Sequence, residues 1–103
     1  MSWHGREPGR RALAAGNQVV MASNVPYYFD YYQSDSPDEP FAQPAPSSWQ
    51  DVASFDPVAG VADEHLPNLL GIQGQVWTEF MTTPAEVEYM AFPRTCVLAE
   101  VAW

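Results

Sequence analysis

The sequence predicts an α/β fold in which parallel strands are joined by helices, and only part of such a sheet. Three observations lead there. Helix and strand patterns alternate along the chain, the order expected of parallel strands with crossover helices. Only two segments carry a strand pattern, whereas a parallel pair buried on both faces needs further neighbours. With 103 residues the chain has the length of one domain and can bury only a modest core.

The first element is "EPGRRALAAGN". Ala and Leu favour helix, and Gly16 stands where a left-handed C-terminal cap would end about two turns. "QVVMAS", residues 18–23, is the first strand. It runs into "NVPYYFDYYQ", where Pro26 breaks regular pairing and an aromatic cluster surrounds Asp30. Residues 34–47, "SDSPDEPFAQPAPS", are too rich in proline and acid for an element interior and predict a long acidic surface loop. At "SSWQDVASFDP" Ser48 is placed as an N-cap with Asp51 at the third helical position, and Pro57 closes a short helix.

"LLGIQGQVWTE" is the second strand, centred on residues 72–77. Thr83, Pro84 and Glu86 then form a capping box with proline at the first helical position. That helix continues to Pro93. "RTCVLAEVAW" supplies a last helix with Val97, Leu98, Val101 and Ala102 on an apolar stripe. Within it, Arg94 and Glu100 are read as a helix-supporting ion pair and Cys96 as a small buried hydrophobe.

Composition narrows the function. A formal net charge of -9 repels polyanions, so nucleic acid is excluded as a partner. One cysteine and two histidines offer no zinc spacing, and no metal or other cofactor is implied. No segment approaches the roughly 18 to 20 apolar residues needed to span a bilayer, and the N-terminus does not read as a signal peptide.

Chemistry is concentrated after the strands. Tyr28 and Asp30 follow the first; Trp77 and Glu79 close the second. If the strands are neighbours, these four side chains face one mouth, because reactive groups of parallel barrels gather at the C-terminal strand ends. A ring beside a carboxylate suits a sugar, which offers an apolar face and hydroxyls. The plainer reading is a core tryptophan with a surface glutamate. Asp30 and Glu79 could also be cast as the two carboxylates of an ordinary glycosidase.

The ordered set "SWHG", "AAGNQVVMAS", "YYFDYYQ", "SFDPV", "LGIQGQVWTE", "VEYMAFPR" and "LAEVAW" resembles the C-terminal part of the catalytic barrel of glycoside hydrolase family 20, the β-N-acetylhexosaminidases. The resemblance runs almost end to end over residues 1–103. It implies a partial (β/α)8 TIM barrel containing only the last strand-and-helix units. It also implies removal of terminal N-acetylglucosamine or N-acetylgalactosamine with the substrate's own acetamido oxygen as nucleophile, outside the usual two-carboxylate rule. On matching positions, Trp3 and Trp77 would wall the acetamido pocket and Tyr28 would hydrogen-bond the acetamido oxygen. Asp30 and Glu79 would grip the sugar hydroxyls at positions 4 and 6.

The pattern departs from the family at one point above all. The family's adjacent Asp-Glu pair, which orients the acetamido nitrogen and supplies the general acid, has no counterpart here. Asp38-Glu39 lies in the proline-rich loop, and Asp63-Glu64 precedes "HLPN". The first pocket tryptophan and a hydroxyl-binding arginine also belong upstream, and His4 stands where arginine is common. The expectation is therefore a fragment that binds sugar but has no glycosidase activity by itself. A non-catalytic carbohydrate-binding module is the competing expectation.

Overall fold

The computed structural model describes residues 1–103. Gly5 precedes helix α1 (Arg6–Ala14), which ends as expected: Gly16 takes φ +82°, and the Asn17 N–H returns to the Ala12 carbonyl at 3.0 Å. That geometry is the glycine-terminated helix end, favourable for a residue without Cβ. α1 lies on strand β1 (Val19–Met21) so closely that a Cβ at Gly9 would stand 2.7 Å from the Met21 side chain. Leu13 and Met21 are both fully buried.

β1 pairs in parallel with β2 (Leu69–Ile72). Val19 faces Leu69 and Val20 faces Gly71, so Leu70 is an extra residue in the ladder. Gly71 absorbs this bulge at φ +142°, a conformation that side chains disfavour. On the other edge of β1, Ser2 forms a parallel bridge to Met21. The spatial order is Ser2, β1, β2. Beyond β2 the sheet is uncovered, and Leu70 is 60% exposed.

Between the strands lie a tight turn, α2 (Asn24–Tyr27), the acidic loop, α3 (Trp49–Ser54) and a 3-10 helix (Asp63–Asn68). α3 begins with the expected capping box. The Ser48 side chain accepts from the Asp51 N–H, and Asp51 accepts from the Ser48 N–H at 2.8 Å. α4 (Pro84–Ala91) repeats the device with Thr83 and Glu86, and α5 (Arg94–Ala102) follows. Tyr27, Phe29 and Val52 form the buried centre, packed by Phe55, Ile72, Val97 and Leu98.

Four expectations need correction. The second strand is Leu69–Ile72, upstream of residues 72–77. Regular pairing gives way near Gly74, against which Phe29 and Leu98 pack so tightly that a Cβ would lie 2.9 Å from each. Trp77 and Glu79 therefore lie past the strand, and strand alternation does not govern them. Arg94 forms no pair with Glu100, because its side chain is fully buried among main-chain carbonyls. Cys96 is exposed, on the side of α5 turned from Val97 and Leu98. Of the apolar stripe, Val97, Leu98 and Val101 are half-buried while Ala102 is exposed.

The Gly74 contact predicts a result. Gly74→Ala is expected to cost about 1–3 kcal/mol by overpacking, seen as a lower denaturation midpoint with an unchanged slope.

Candidate active site

Pairing continues past the strand ends, and this positions the site. The Gln73 N–H bonds to the Met21 carbonyl at 2.9 Å, Gln75 N–H to Tyr27 at 2.8 Å, and Phe29 N–H to the Gln75 carbonyl at 2.7 Å. Tyr28 and Gln75 thus form a parallel bridge. The two post-strand segments run side by side, so successive side chains on each meet across them. Tyr28 and Trp77 touch edge to face, with ring centroids 6.0 Å apart at 70°.

Tyr28, Asp30, Trp77 and Glu79 line one open cavity of about 410 Å³, together with Tyr31 and Gln43. That volume lies within the range of small-molecule sites, about 300–1,000 Å³. Gln43 enters because the acidic loop turns back: its N–H bonds to the Asp30 carbonyl at 2.8 Å, and Tyr31 bridges Gln43. Neither Tyr31 nor Gln43 is singled out by sequence. Tyr31 belongs to the aromatic cluster, which was a usable signal; Gln43 lies in a loop with none.

Trp3 stands elsewhere. It is 45% exposed, stacks on His4 with centroids 3.6 Å apart, and lines a separate cavity of about 270 Å³ with Met1, Pro8, Ala12 and Val19 among others. Its backbone is nevertheless at the same end of the sheet, since the Trp3 carbonyl accepts from the Asn24 N–H at 2.8 Å.

The electrostatics single out Asp30. It is 5% exposed, and its buried Oδ1 has no hydrogen-bond partner. Burial, and secondarily the Glu79 charge, raise its pKa above the ordinary carboxylate value; its own N–H and Arg94 oppose that shift. A buried acceptor without a donor is costly unless something supplies one. Burial, then Asp30 and Tyr31, raise the Tyr28 phenol above its usual value, so at neutral pH Tyr28 is a proton-bearing donor. The cavity therefore offers a hydroxyl donor, an aromatic face and two carboxylate acceptors.

No group of three or more His, Cys, Asp or Glu side chains is gathered to hold a metal ion, and no helix is long and apolar enough to cross a membrane.

The model of the glycosyl hydrolase family 20 catalytic domain matches residues 1–103. A beta-hexosaminidase of Porphyromonas gingivalis is 32% identical over 106 aligned residues, and one of Vibrio vulnificus 28% over 122. Each alignment takes in 100% of this chain but 14% of the relative's length. Among solved structures, the exo β-N-acetylglucosaminidase of Vibrio harveyi, determined with N-acetylglucosamine, superposes with a TM-score of 0.91 at 30% identity. It covers 99% of this chain and 16% of that one. The two parallel strands with their helices are thus a piece of the (β/α)8 barrel of those enzymes. The chain belongs to glycosyl hydrolase family 20.

Proposed function

We propose that residues 1–103 form the C-terminal section of a β-N-acetylhexosaminidase barrel and supply the sugar-binding side of its active site, the acidic loop 34–47 included. The observation that carries this reading is the meeting of Tyr28, Asp30, Trp77 and Glu79 in one cavity.

In this reading the Trp77 ring walls the acetamido pocket and excludes water. Trp3, at the same end of the sheet, supplies a second wall once its ring turns from His4. Tyr28 donates a hydrogen bond to the acetamido oxygen and keeps its proton while that oxygen attacks C1, which lowers the barrier by holding the nucleophile in place. Asp30 and Glu79 accept hydrogen bonds from the sugar hydroxyls at positions 4 and 6, and a sugar lacking either hydroxyl leaves its acceptor unpaired. The Asp-Glu pair that would orient the acetamido nitrogen and protonate the leaving oxygen comes from outside these residues, so this chain alone is inactive.

The test compares this chain with a full-length protein that joins it to the preceding strands. The full-length protein is expected to hydrolyse an aryl N-acetyl-β-glucosaminide and to be inhibited by a thiazoline mimic of the intermediate, while the 103-residue chain does neither. A folded full-length protein without hydrolysis contradicts the reading.

Asp30 makes a second expectation. A carboxyl with a raised folded pKa is disfavoured as an anion by folding. Its contribution falls as pH rises from the ordinary value of about 3.9 through the raised one. Asp30→Asn is therefore expected to raise the melting temperature at pH 7. The gain should vanish near pH 3, where Asp30 is protonated folded and unfolded alike, and sugar affinity should drop at pH 7. Thermal melting across pH, paired with calorimetry, checks both signs.

A further inference from the structure

Arg94 is buried, makes no ion pair and lies outside the cavity. Its guanidinium has five N–H donors, and all five find main-chain carbonyls. Nη2 donates to Phe29 at 2.6 Å and to Met90. Nη1 donates to Tyr31 at 3.0 Å and to Ser47 at 2.9 Å, and Nε donates to Met90 at 3.1 Å. The group also lies over the Phe29 ring, 4.9 Å from its centroid.

Two of those carbonyls, Phe29 and Tyr31, flank Asp30. The carbonyl between them, that of Asp30 itself, accepts from Gln43. Three consecutive peptide units behind the cavity are thereby held from two directions. We propose that Arg94 is a positioning residue: by clamping the main chain on both sides of Asp30 it aims that carboxylate into the cavity. The inference rests on the sugar-binding reading of the cavity and adds a residue to it.

The clamp suits this task because a planar fork fixes orientation as well as distance, which an ammonium group does not. Its charge also acts on Asp30. Facing Asp30 are Tyr28, Tyr31 and Glu79 from the post-strand segments and Arg94 from α5; Arg94 alone is cationic. It favours the ionised carboxylate that burial and Glu79 oppose. Arg94 touches no substrate in this account and acts only through Asp30.

A double-mutant cycle in the full-length protein separates aiming from simple support of the fold. N-acetylglucosamine affinity is measured by calorimetry in Arg94→Lys, Asp30→Asn and the double variant. Arg94→Lys is expected to weaken binding about tenfold when Asp30 is present and less than twofold when it is Asn. Equal losses in both backgrounds, or none in the folded Arg94→Lys protein, overturn the proposal.

A second measurement needs no Arg94 variant and no sugar. The Arg94 guanidinium nitrogen signals, followed by NMR against pH, are expected to move in the unsubstituted protein and to move less in Asp30→Asn, where the charges of Glu39 and Tyr89 still act on Arg94; equal movement in both overturns the proposal. Signals that ignore pH in the unsubstituted protein overturn the proposal even if Arg94→Lys fails to fold. If the unsubstituted protein binds no N-acetylglucosamine, the functional reading fails, while the NMR titration still decides whether Arg94 answers to Asp30.

Discussion

Tyr28→Phe is expected to lower kcat of the full-length protein on an aryl N-acetylglucosaminide by about 10²-fold, the effect of misplacing a nucleophile held near its target, with KM changed much less. The reason lies in where Tyr28 stands. Its main chain is fixed by the Gln75 bridge and its ring meets Trp77 edge to face, so phenylalanine keeps the packing and loses only the hydroxyl. That hydroxyl is protonated at neutral pH as any ordinary phenol is, and burial and Asp30 raise its pKa further. In the proposed role its bond holds the acetamido oxygen near C1; that oxygen gives up electron density as it attacks, so the bond acts by positioning and its loss falls on reaching the reactive geometry. Steady-state kinetics of the variant checks this. Equal kcat with a raised KM would make Tyr28 a binding residue only.

Arg94→Met is expected to cost at least about 3 kcal/mol of folding stability. The carbonyls of Phe29, Tyr31 and Ser47 have no other protein donor, and each buried acceptor left unpaired costs about 1–3 kcal/mol. Methionine fills much of the space, so the loss is mainly polar. Against a total stability of about 5–15 kcal/mol for an ordinary domain, this is enough to leave a measurable unfolded population. Denaturant unfolding of the variant gives the number. A loss below about 1 kcal/mol would mean that water replaces the guanidinium at those carbonyls, and would remove the clamp from the account.

How much of this was legible beforehand follows from the range of the interactions. Both capping boxes, at Ser48 and Thr83, and the glycine-capped end of α1 were readable because each needs only residues within one turn. The candidate cavity was readable in part for a similar reason. Tyr28 and Asp30 follow one strand, Trp77 and Glu79 follow the other, and parallel neighbours send post-strand segments to the same end. What failed was set by distant contacts. The end of β2 depends on Phe29 and Leu98 closing over Gly74. Arg94 looked like one partner of a surface pair with Glu100, yet its acceptors are carbonyls up to 65 positions away, and a main-chain carbonyl leaves no mark in a side-chain pattern. Gln43 reaches the cavity only because the acidic loop folds back onto Asp30. The same limit applies to Cys96: its helix was correctly read, but which side of α5 meets Tyr27, Phe29 and Val52 is decided by tertiary packing.

Exposure also has a physical lesson. Only 16 of the 103 residues are buried, and the shape is an elongated 45 × 22 × 21 Å, closer to a stave than to a closed globule. Leu70 on the open side of β2 and Trp103 at the end of α5 remain in solvent. A barrel section leaves such surfaces for its neighbouring strands, as expected of a parallel sheet covered on both faces.

The most direct measurement is a crystal structure of the full-length protein with N-acetylglucosamine. The account predicts one sugar with its acetamido oxygen on the Tyr28 hydroxyl, its acetamido group against the Trp77 ring, and its far hydroxyls on Asp30 and Glu79. A sugar bound elsewhere, or in this cavity without contact to Tyr28 and Asp30, would contradict it.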